Sequence, residues 1–398
     1  MNNSRTRILL VTTSYPLDAQ SYSGIFVKRL VDHLPDGLRV TVLTPDSDRQ
    51  ANSPETGKAD IYRFRYAPRA LQILAQSPGG IPVALKSNIL NYLLLIPFLI
   101  ALILSTFKLG RRHDLIHANW SISGLIGGMA GKFFNKPVIV TLRGDDITRA
   151  EHSFLYRCIL KYCVKHLDGT ICVSDDMGNG VRREFPDHEN KISVINNGVE
   201  KTLLESPRKY EDSDILTIIS VGSLIHRKGY DITLKALALV MEQIKFGFTC
   251  VGEGPERRLL EGIVERTGLR DRVRFIGEVP PDKVAAELIR ADLFILSSRS
   301  EGRPNVLVEA MACGLPVIGS NINGVHELIE HGDNGFLFDS ENAEQLAVLI
   351  SKLASDRVLR EKTGSTARLT VKKRNLTWEN TAHEYALAYS RVLGENKT

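Results

Sequence analysis

Ala291-Asp292-Leu293-Phe294-Ile295-Leu296-Ser297-Ser298-Arg299-Ser300-Glu301-Gly302-Arg303-Pro304-Asn305-Val306-Leu307-Val308-Glu309 reads as a buried strand that runs through a turn into a helix. The apolar run before Ser297 is the strand, and Glu301-Gly302 is the turn. Pro304 suits a first helical position, where a missing N–H costs nothing. Val306 to Cys313 continues as helix until Gly314 and Pro316 stop it. A helix N-terminus fed by a strand favours phosphate, because its first amides are unpaired and the dipole end is positive. Glu301 then stands at the mouth of such a site, and Glu309 lies about one and a half turns into the helix. Carboxylates are poor phosphate ligands but good acceptors for hydroxyls. A phosphate flanked by hydroxyls describes a nucleotide sugar.

The same strand-to-helix unit repeats along the chain. Strands are expected at Ile8–Thr12, Val40–Leu43, Ile61–Phe64, Leu115–His117, Val138–Thr141, Gly169–Val173 and Ile192–Ile195. Helices are expected between them at Gly24–Leu34, Ser87–Leu109, Ile122–Phe134, Ser153–Leu167 and Asp175–Glu184. The pattern breaks at Asn196-Asn197-Gly198-Val199, and the polar stretch 200–214 reads as a linker. It restarts at Leu216–Val221 and continues through Phe248–Val251, Val273–Ile276, Leu293–Leu296, Val317–Gly319 and Gly335–Phe338. The fold class is therefore α/β, with two Rossmann-like domains whose parallel sheets face a central cleft. The expected domains are 1–199 and 200–377, and the chain of 398 residues is long enough for both cores. The amphipathic segment Trp378–Leu393 reads as a final helix.

Three further loops carry polar groups. Ser220-Val221-Gly222-Ser223-Leu224-Ile225-His226-Arg227-Lys228-Gly229-Tyr230 ends a strand and opens a helix. Its adjacent cations, Arg227 and Lys228, suit a diphosphate and the charge that builds as one departs; alone, they also fit two solvated loop charges. His117 ends a strand and is followed by Asn119-Trp120. It is placed either to donate to a sugar hydroxyl or to serve the core. Thr141-Leu142-Arg143-Gly144-Asp145-Asp146 ends the next strand, and its aspartates either bind acceptor hydroxyls or cap the following helix. No histidine stands at a useful spacing from them, so no metal is expected. Val251-Gly252-Glu253-Gly254-Pro255 lacks the third glycine of a dinucleotide fingerprint, which argues against nicotinamide or flavin chemistry.

Composition narrows the class. The formal net charge of +5, with 43% hydrophobic and 24% charged residues, belongs to a globular protein and does not indicate nucleic acid. The five scattered cysteines contain no CxxC pair and read as reduced thiols in a cytoplasmic protein. Arg5 and Arg7 precede too short an apolar run to form a secretory signal. Ser87–Phe107 carries no charge over 21 residues. A single crossing of a membrane would separate two strands of one sheet, and Pro97 sits in its middle. It reads either as a buried core helix or as a helix dipping into one leaflet, where the basic flank Lys108, Arg111 and Arg112 would contact the cytoplasmic face of the inner membrane.

Taken together, Glu301–Glu309 with Pro304, the Gly222–Gly229 loop and the break at Asn197-Gly198-Val199 resemble glycosyltransferase family four. Glu309-Ala310-Met311-Ala312-Cys313-Gly314-Leu315-Pro316-Val317 and His331-Gly332-Asp333-Asn334-Gly335-Phe336-Leu337 extend the match. Ser23-Gly24-Ile25-Phe26-Val27 is similar to members that build bacterial surface polysaccharides, including the teichuronic-acid type. The resemblance implies the GT-B fold and a retaining, metal-independent transfer of a sugar from a nucleotide diphosphate to a saccharide or lipid-linked saccharide. No cofactor is implied, and a UDP-sugar is expected over a GDP-sugar. The implied catalytic set is Glu301, His117, Arg227 and Lys228. Donor binding falls to Gly24, Arg227, Lys228, Pro304, Asn305, Val306 and Glu309, with Glu309 on the ribose diol and Glu301 by the sugar. The acceptor side is Asn119, Arg143, Asp145 and Asp146. Arg143 replaces the family's histidine in a His-Gly-x-Asp pattern, and Arg303 stands where an apolar residue is usual. The final helix, 378–398, is expected to return to the first domain, and a hinge near Asn196–Val199 is expected to let the domains close on the donor. Rival readings are a nucleotide-sugar epimerase or hydrolase and a donor-binding subunit without turnover.

Overall fold

The computed structural model describes residues 6–48, 57–75, 80–205 and 213–394. The chain forms two compact units: Met1–Asn197 together with Trp378–Thr398, and Gly198–Thr377. The first unit holds β1 (Thr6–Val11), β2 (Leu38–Pro45), β3 (Asp60–Phe64), β4 (Leu115–Asn119), β5 (Val138–Leu142), β6 (Gly169–Cys172) and β7 (Ile192–Val194). They form one sheet in the order β3-β2-β1-β4-β5-β6-β7, every pair parallel. β4 and β5 are buried at every residue, because helices cover both faces of the sheet. Leu9, Val11, Ile116, Ala118, Val138 and Val140 fill one core, while Ile8, Leu10, Leu115 and Ile139 fill the other. That split follows from the alternation of side chains along a strand.

The second core belongs to the final helix as well. Trp378–Leu393 buries Trp378, Ala382, Tyr385 and Tyr389, spaced by three or four residues, against Ile8, Leu10 and Ile139.

The second unit holds β8 (Leu216–Val221), β9 (Phe246–Val251), β10 (Val273–Gly277), β11 (Leu293–Leu296), β12 (Val317–Ser320) and β13 (Phe336–Phe338), in the order β10-β9-β8-β11-β12-β13. These pairs are also all parallel. Its two ends meet where the Val199 amide donates to the Leu376 carbonyl at 3.0 Å. In both sheets the order reverses beside the first strand, at β1/β4 and at β8/β11. Connections leave in opposite directions at such a point, which opens a crevice at the carboxyl ends of the strands. The stretch read as a linker is helical at Lys201–Glu205, and Arg368 donates to the Leu204 carbonyl at 2.7 Å; residues 206–212 lie outside the described residues.

The apolar segment differs from the single helix expected over Ser87–Leu109. It is divided into Gly80–Ser87, a 3-10 turn Ile89–Asn91, and a helix Tyr92–Gly110. Asn88 makes the break, its side chain accepting the Leu90 amide at 3.0 Å. Pro97 does not end the long helix; it only forgoes one hydrogen bond near the start. One face of this helix, Phe98, Leu102, Thr106 and Gly110, is buried, with Phe98 edge-on to Phe64 and Tyr66 at 5.4 and 5.1 Å between ring centroids. The opposite face, Leu93, Ile96, Ile100 and Leu104, is exposed. A wholly buried helix does not match this division.

Candidate active site

In the second unit the crevice between β8 and β11 is lined by the two loops singled out in the sequence. His226–Lys228 is a 3-10 turn, closed by Gly229 at φ 64°. A Cβ there would lie 2.0 Å from the Ser297 carbonyl oxygen, so only glycine allows the loops to meet. Ser297 Oγ donates to the Gly229 carbonyl at 2.7 Å, and the Arg299 amide donates to the Arg227 carbonyl at 2.7 Å. Arg299, which the sequence reading passed over, clamps Asp231 with two bonds of 2.9 Å and the His226 carbonyl with one of 2.6 Å. The loop bearing both cations is thus tied to the loop bearing Glu301.

Lys228 Nζ lies 2.5 Å from Glu301 Oε1, with side chains 16% and 6% exposed. Ser298 Oγ donates to the same oxygen at 2.7 Å. Burial pushes the Glu301 carboxyl up. The charges of Lys228 and Arg227, with the bonds from Lys228 and Ser298, outweigh it and hold the group below the usual carboxylate range. Glu301 is therefore a carboxylate at neutral pH. Arg227 is half-buried, and its Nη1 reaches the Ser300 carbonyl at 3.5 Å.

The helix after this loop is Asn305–Ala312, with Pro304 just before it rather than at its first position. The Pro304 carbonyl accepts the Leu307 amide at 3.1 Å, so the chain turns helical directly at Asn305 and Val306. Glu309 lies on this helix and is 9% exposed. Arg303 forms a buried ion pair with Glu327 at 2.7 Å, with side chains 2% and 8% exposed. That pair explains a cation where an apolar residue was expected.

In the first unit, Gly24 precedes the helix Ile25–His33 at φ 73°, and a Cβ there would lie 2.3 Å from the Ser14 carbonyl oxygen. The Gly24 backbone thus lies against the exit of β1, near the β1/β4 reversal. His117 is fully buried. Its Nε2 lies 2.8 Å from Thr141 Oγ1 and its Nδ1 lies 2.9 Å from the Tyr389 hydroxyl. Burial, aided by Arg143, pushes its pKa down to about 3. Both ring nitrogens are engaged within the core, so the expected catalytic role gives way to a structural one that joins β4, β5 and the final helix.

Asp146 is likewise a positioning group. Its Oδ1 accepts the Ser121 amide and its Oδ2 the Arg143 amide, both at 2.8 Å, which caps two helices. It does not stand open to acceptor hydroxyls. The side chain of Asp145 lies outside the described residues. Asn119 is buried, with Oδ1 accepting Arg143 Nη2 at 3.0 Å. Arg143 lies over the Phe26 ring at 3.9 Å from its centroid, with Trp120 at 5.9 Å. The structure thus assembles Arg227, Lys228 and Glu301 around one crevice, gathers Asn119 and Arg143 at another, and takes His117 and Asp146 into the framework. Among the described residues, no three His, Cys, Asp or Glu side chains are placed to share a metal ion.

Comparison with known proteins agrees with this architecture. The Glycosyltransferase Family 4 profile matches residues 23–203, and the Glycosyl transferases group 1 profile matches residues 201–370. An uncharacterised glycosyltransferase of Methanocaldococcus jannaschii is 30% identical over 287 residues, covering 70% of this chain and 78% of that protein. A putative colanic acid biosynthesis glycosyltransferase of Escherichia coli is 36% identical over 165 residues, 39% of this chain and 40% of that one. Among solved structures, HepE of Anabaena, in complex with UDP and glucose, superposes with a TM-score of 0.74 at 21% identity, covering 97% of this chain and 99% of that one. The fold is GT-B. With both halves matched in order, the chain belongs to glycosyltransferase family 4.

Proposed function

We propose that the protein transfers a sugar from a UDP-sugar to a saccharide or lipid-linked saccharide acceptor during assembly of a bacterial surface polysaccharide, with retention at the anomeric carbon and no metal. The observation that carries this reading is the buried Lys228–Glu301 pair beside Arg227, at the carboxyl ends of β8 and β11. Two cations there would stabilise the departing diphosphate, which is the charge that grows most in the transition state. The start of the helix at Asn305 would add its dipole, and Glu309 would hold the ribose diol. Glu301, ionised and buried, would face the sugar and favour the positive charge developing at its anomeric carbon. The UDP of the HepE complex supports the choice of nucleotide, and the Escherichia coli relative supports the polysaccharide context.

The reading includes a peripheral place on the cytoplasmic face of a membrane. The exposed stripe of Tyr92–Gly110 is supported in this role by Phe133, which is 73% exposed and lies 5.7 Å from Phe107 between ring centroids. Lys108, Arg111 and Arg112 are exposed at one end of the helix, where anionic headgroups would meet them.

A panel of nucleotide sugars, assayed for diphosphate release with and without lipid-linked saccharides, tests the proposal. Acceptor-dependent UDP release is expected. Release without any acceptor dependence points to a hydrolase, and binding without turnover points to a non-catalytic subunit; either result overturns the reading.

A further inference from the structure

We infer that Arg143 is the centre of an oxyanion subsite in the first unit, which recognises a carboxylate or a phosphate carried by the saccharide acceptor. The subsite itself rests on geometry; only the identity of its ligand as an acceptor rests on the glycosyl-transfer reading.

Arg143 is a half-buried cation that no carboxylate pairs with among the described residues. Among the described residues its side chain donates only to the neutral Asn119 amide, through Nε at 3.3 Å and Nη2 at 3.0 Å, and is held against the Phe26 and Trp120 rings. Asp146, the nearest acid along the chain, gives its two oxygens to the backbone amides of Ser121 and Arg143 rather than to the guanidinium. Burial pushes the guanidinium down to about 10, against the opposing pull of Tyr385 and Asp146. A guanidinium has five N–H donors, so most of the Nη donors remain for a ligand. Stacking on two aromatic rings fixes the plane of the fork, which is the arrangement that recognises planar or tetrahedral oxyanions.

Two independent features agree. Asn119 Nδ2 is buried with no partner, a second donor beside the first. Two helices of 14 and 9 residues, Ser121–Phe134 and Gly144–His152, also begin here, immediately after Trp120 and Arg143. Their positive ends add to the same field. Trp120 carries φ 68° and ψ 152°, a region unfavourable for a non-glycine residue and retained where its surroundings hold it. Donors, aromatic rings and helix N-termini gather here, and the one acid described beside them, Asp146, spends both its oxygens on backbone amides and leaves the Arg143 fork to a ligand.

Tryptophan fluorescence reports on the subsite, because Trp120 adjoins Arg143 while Trp378, the other tryptophan, is fully buried. The full chain is titrated with glucuronate, glucose 6-phosphate and glucose. The expected result is that at least one anionic sugar binds about tenfold or more tightly than glucose, as one charge-assisted bond allows. A preference for glucuronate identifies a carboxylate ligand, and one for glucose 6-phosphate a phosphate ligand. Arg143→Gln should lose that margin, and Arg143→Lys should keep only part of it. Equal binding of all three sugars by the wild-type chain overturns the inference whether or not the variants fold, as does a margin that survives in Arg143→Gln. A wild-type chain that binds no UDP would instead refute the glycosyl-transfer reading and leave this margin unaffected.

Discussion

Glu301→Gln separates the two roles given to the second unit's crevice. The carboxylate is 6% exposed and lies 2.5 Å from Lys228 Nζ. Two unit charges about 4 Å apart interact by about 4 kcal/mol at an effective dielectric near 20. Desolvation of both groups removes a large part of that gain, so the loss on neutralising one partner should be about 2–3 kcal/mol. Glutamine keeps an oxygen for Ser298 and for Lys228, which places the cost toward the lower figure. The variant should melt several degrees below the wild type. Its affinity for UDP should hold or rise, by up to about tenfold, because Lys228 no longer shares its charge with a neighbouring anion. Sugar transfer should fall by about a hundredfold, the scale of removing one preorganised electrostatic group. Calorimetric titration with UDP, alongside initial rates with the UDP-sugar, provides the comparison. A folded Glu301→Gln chain that binds UDP more than tenfold more weakly would refute the division of labour, because Glu301 would then be serving the nucleotide. The pH dependence has a definite sign. The Glu301 pKa is depressed in the folded chain, so its contribution to stability is present above the ordinary carboxylate range, about 4, and is lost as pH falls through the lower folded value. The variant should show a flatter acid limb.

Glu309→Gln should weaken UDP binding by about tenfold, since an acceptor-only group at the ribose becomes an amide; calorimetry would show it. His117→Ala should leave UDP affinity unchanged but cost about 2–4 kcal/mol in chemical denaturation, through the cavity, the lost bond to Thr141, which keeps Tyr385, and the lost bond to the buried Tyr389 hydroxyl. Because His117 stays neutral when folded, the wild type should also lose roughly 1.4 kcal/mol for each pH unit below about 6.5, and the variant should lose less. Leu93→Glu with Ile100→Glu should release the chain from anionic vesicles in a flotation assay without lowering its melting temperature, because both side chains are exposed. Phe98→Ala should do the reverse, since Phe98 is buried against Phe64 and Tyr66.

The strands were legible because a parallel sheet covered on both faces makes each of them a short, uninterrupted apolar run. Leu293–Leu296 and Leu216–Val221 appear with the boundaries read from the sequence. The Lys228–Glu301 contact joins residues 73 positions apart, and it became legible only through the pairing of two strand-end loops. His117 could not be assigned in the same way. Its second partner, Tyr389, lies 272 residues away on the final helix, and nothing near His117 announces that contact. Arg303 poses the same problem, since its partner Glu327 follows 24 residues later with no periodic signal between them. The apolar helix hid its two faces for a different reason. With nearly every side chain apolar, periodicity carries no contrast, and only the position of Phe64 and Tyr66 decides which stripe is buried.

The central claim is that Arg227 and Lys228 carry the charge of a departing nucleotide diphosphate. Its most direct test is the turnover rate of Arg227→Ala and Lys228→Ala at saturating UDP-sugar and acceptor. Each rate should fall about a hundredfold to a thousandfold even when the donor is fully bound. Rates that recover to the wild-type value once the donor saturates would contradict the claim, because the two cations would then bind the substrate without stabilising its departure.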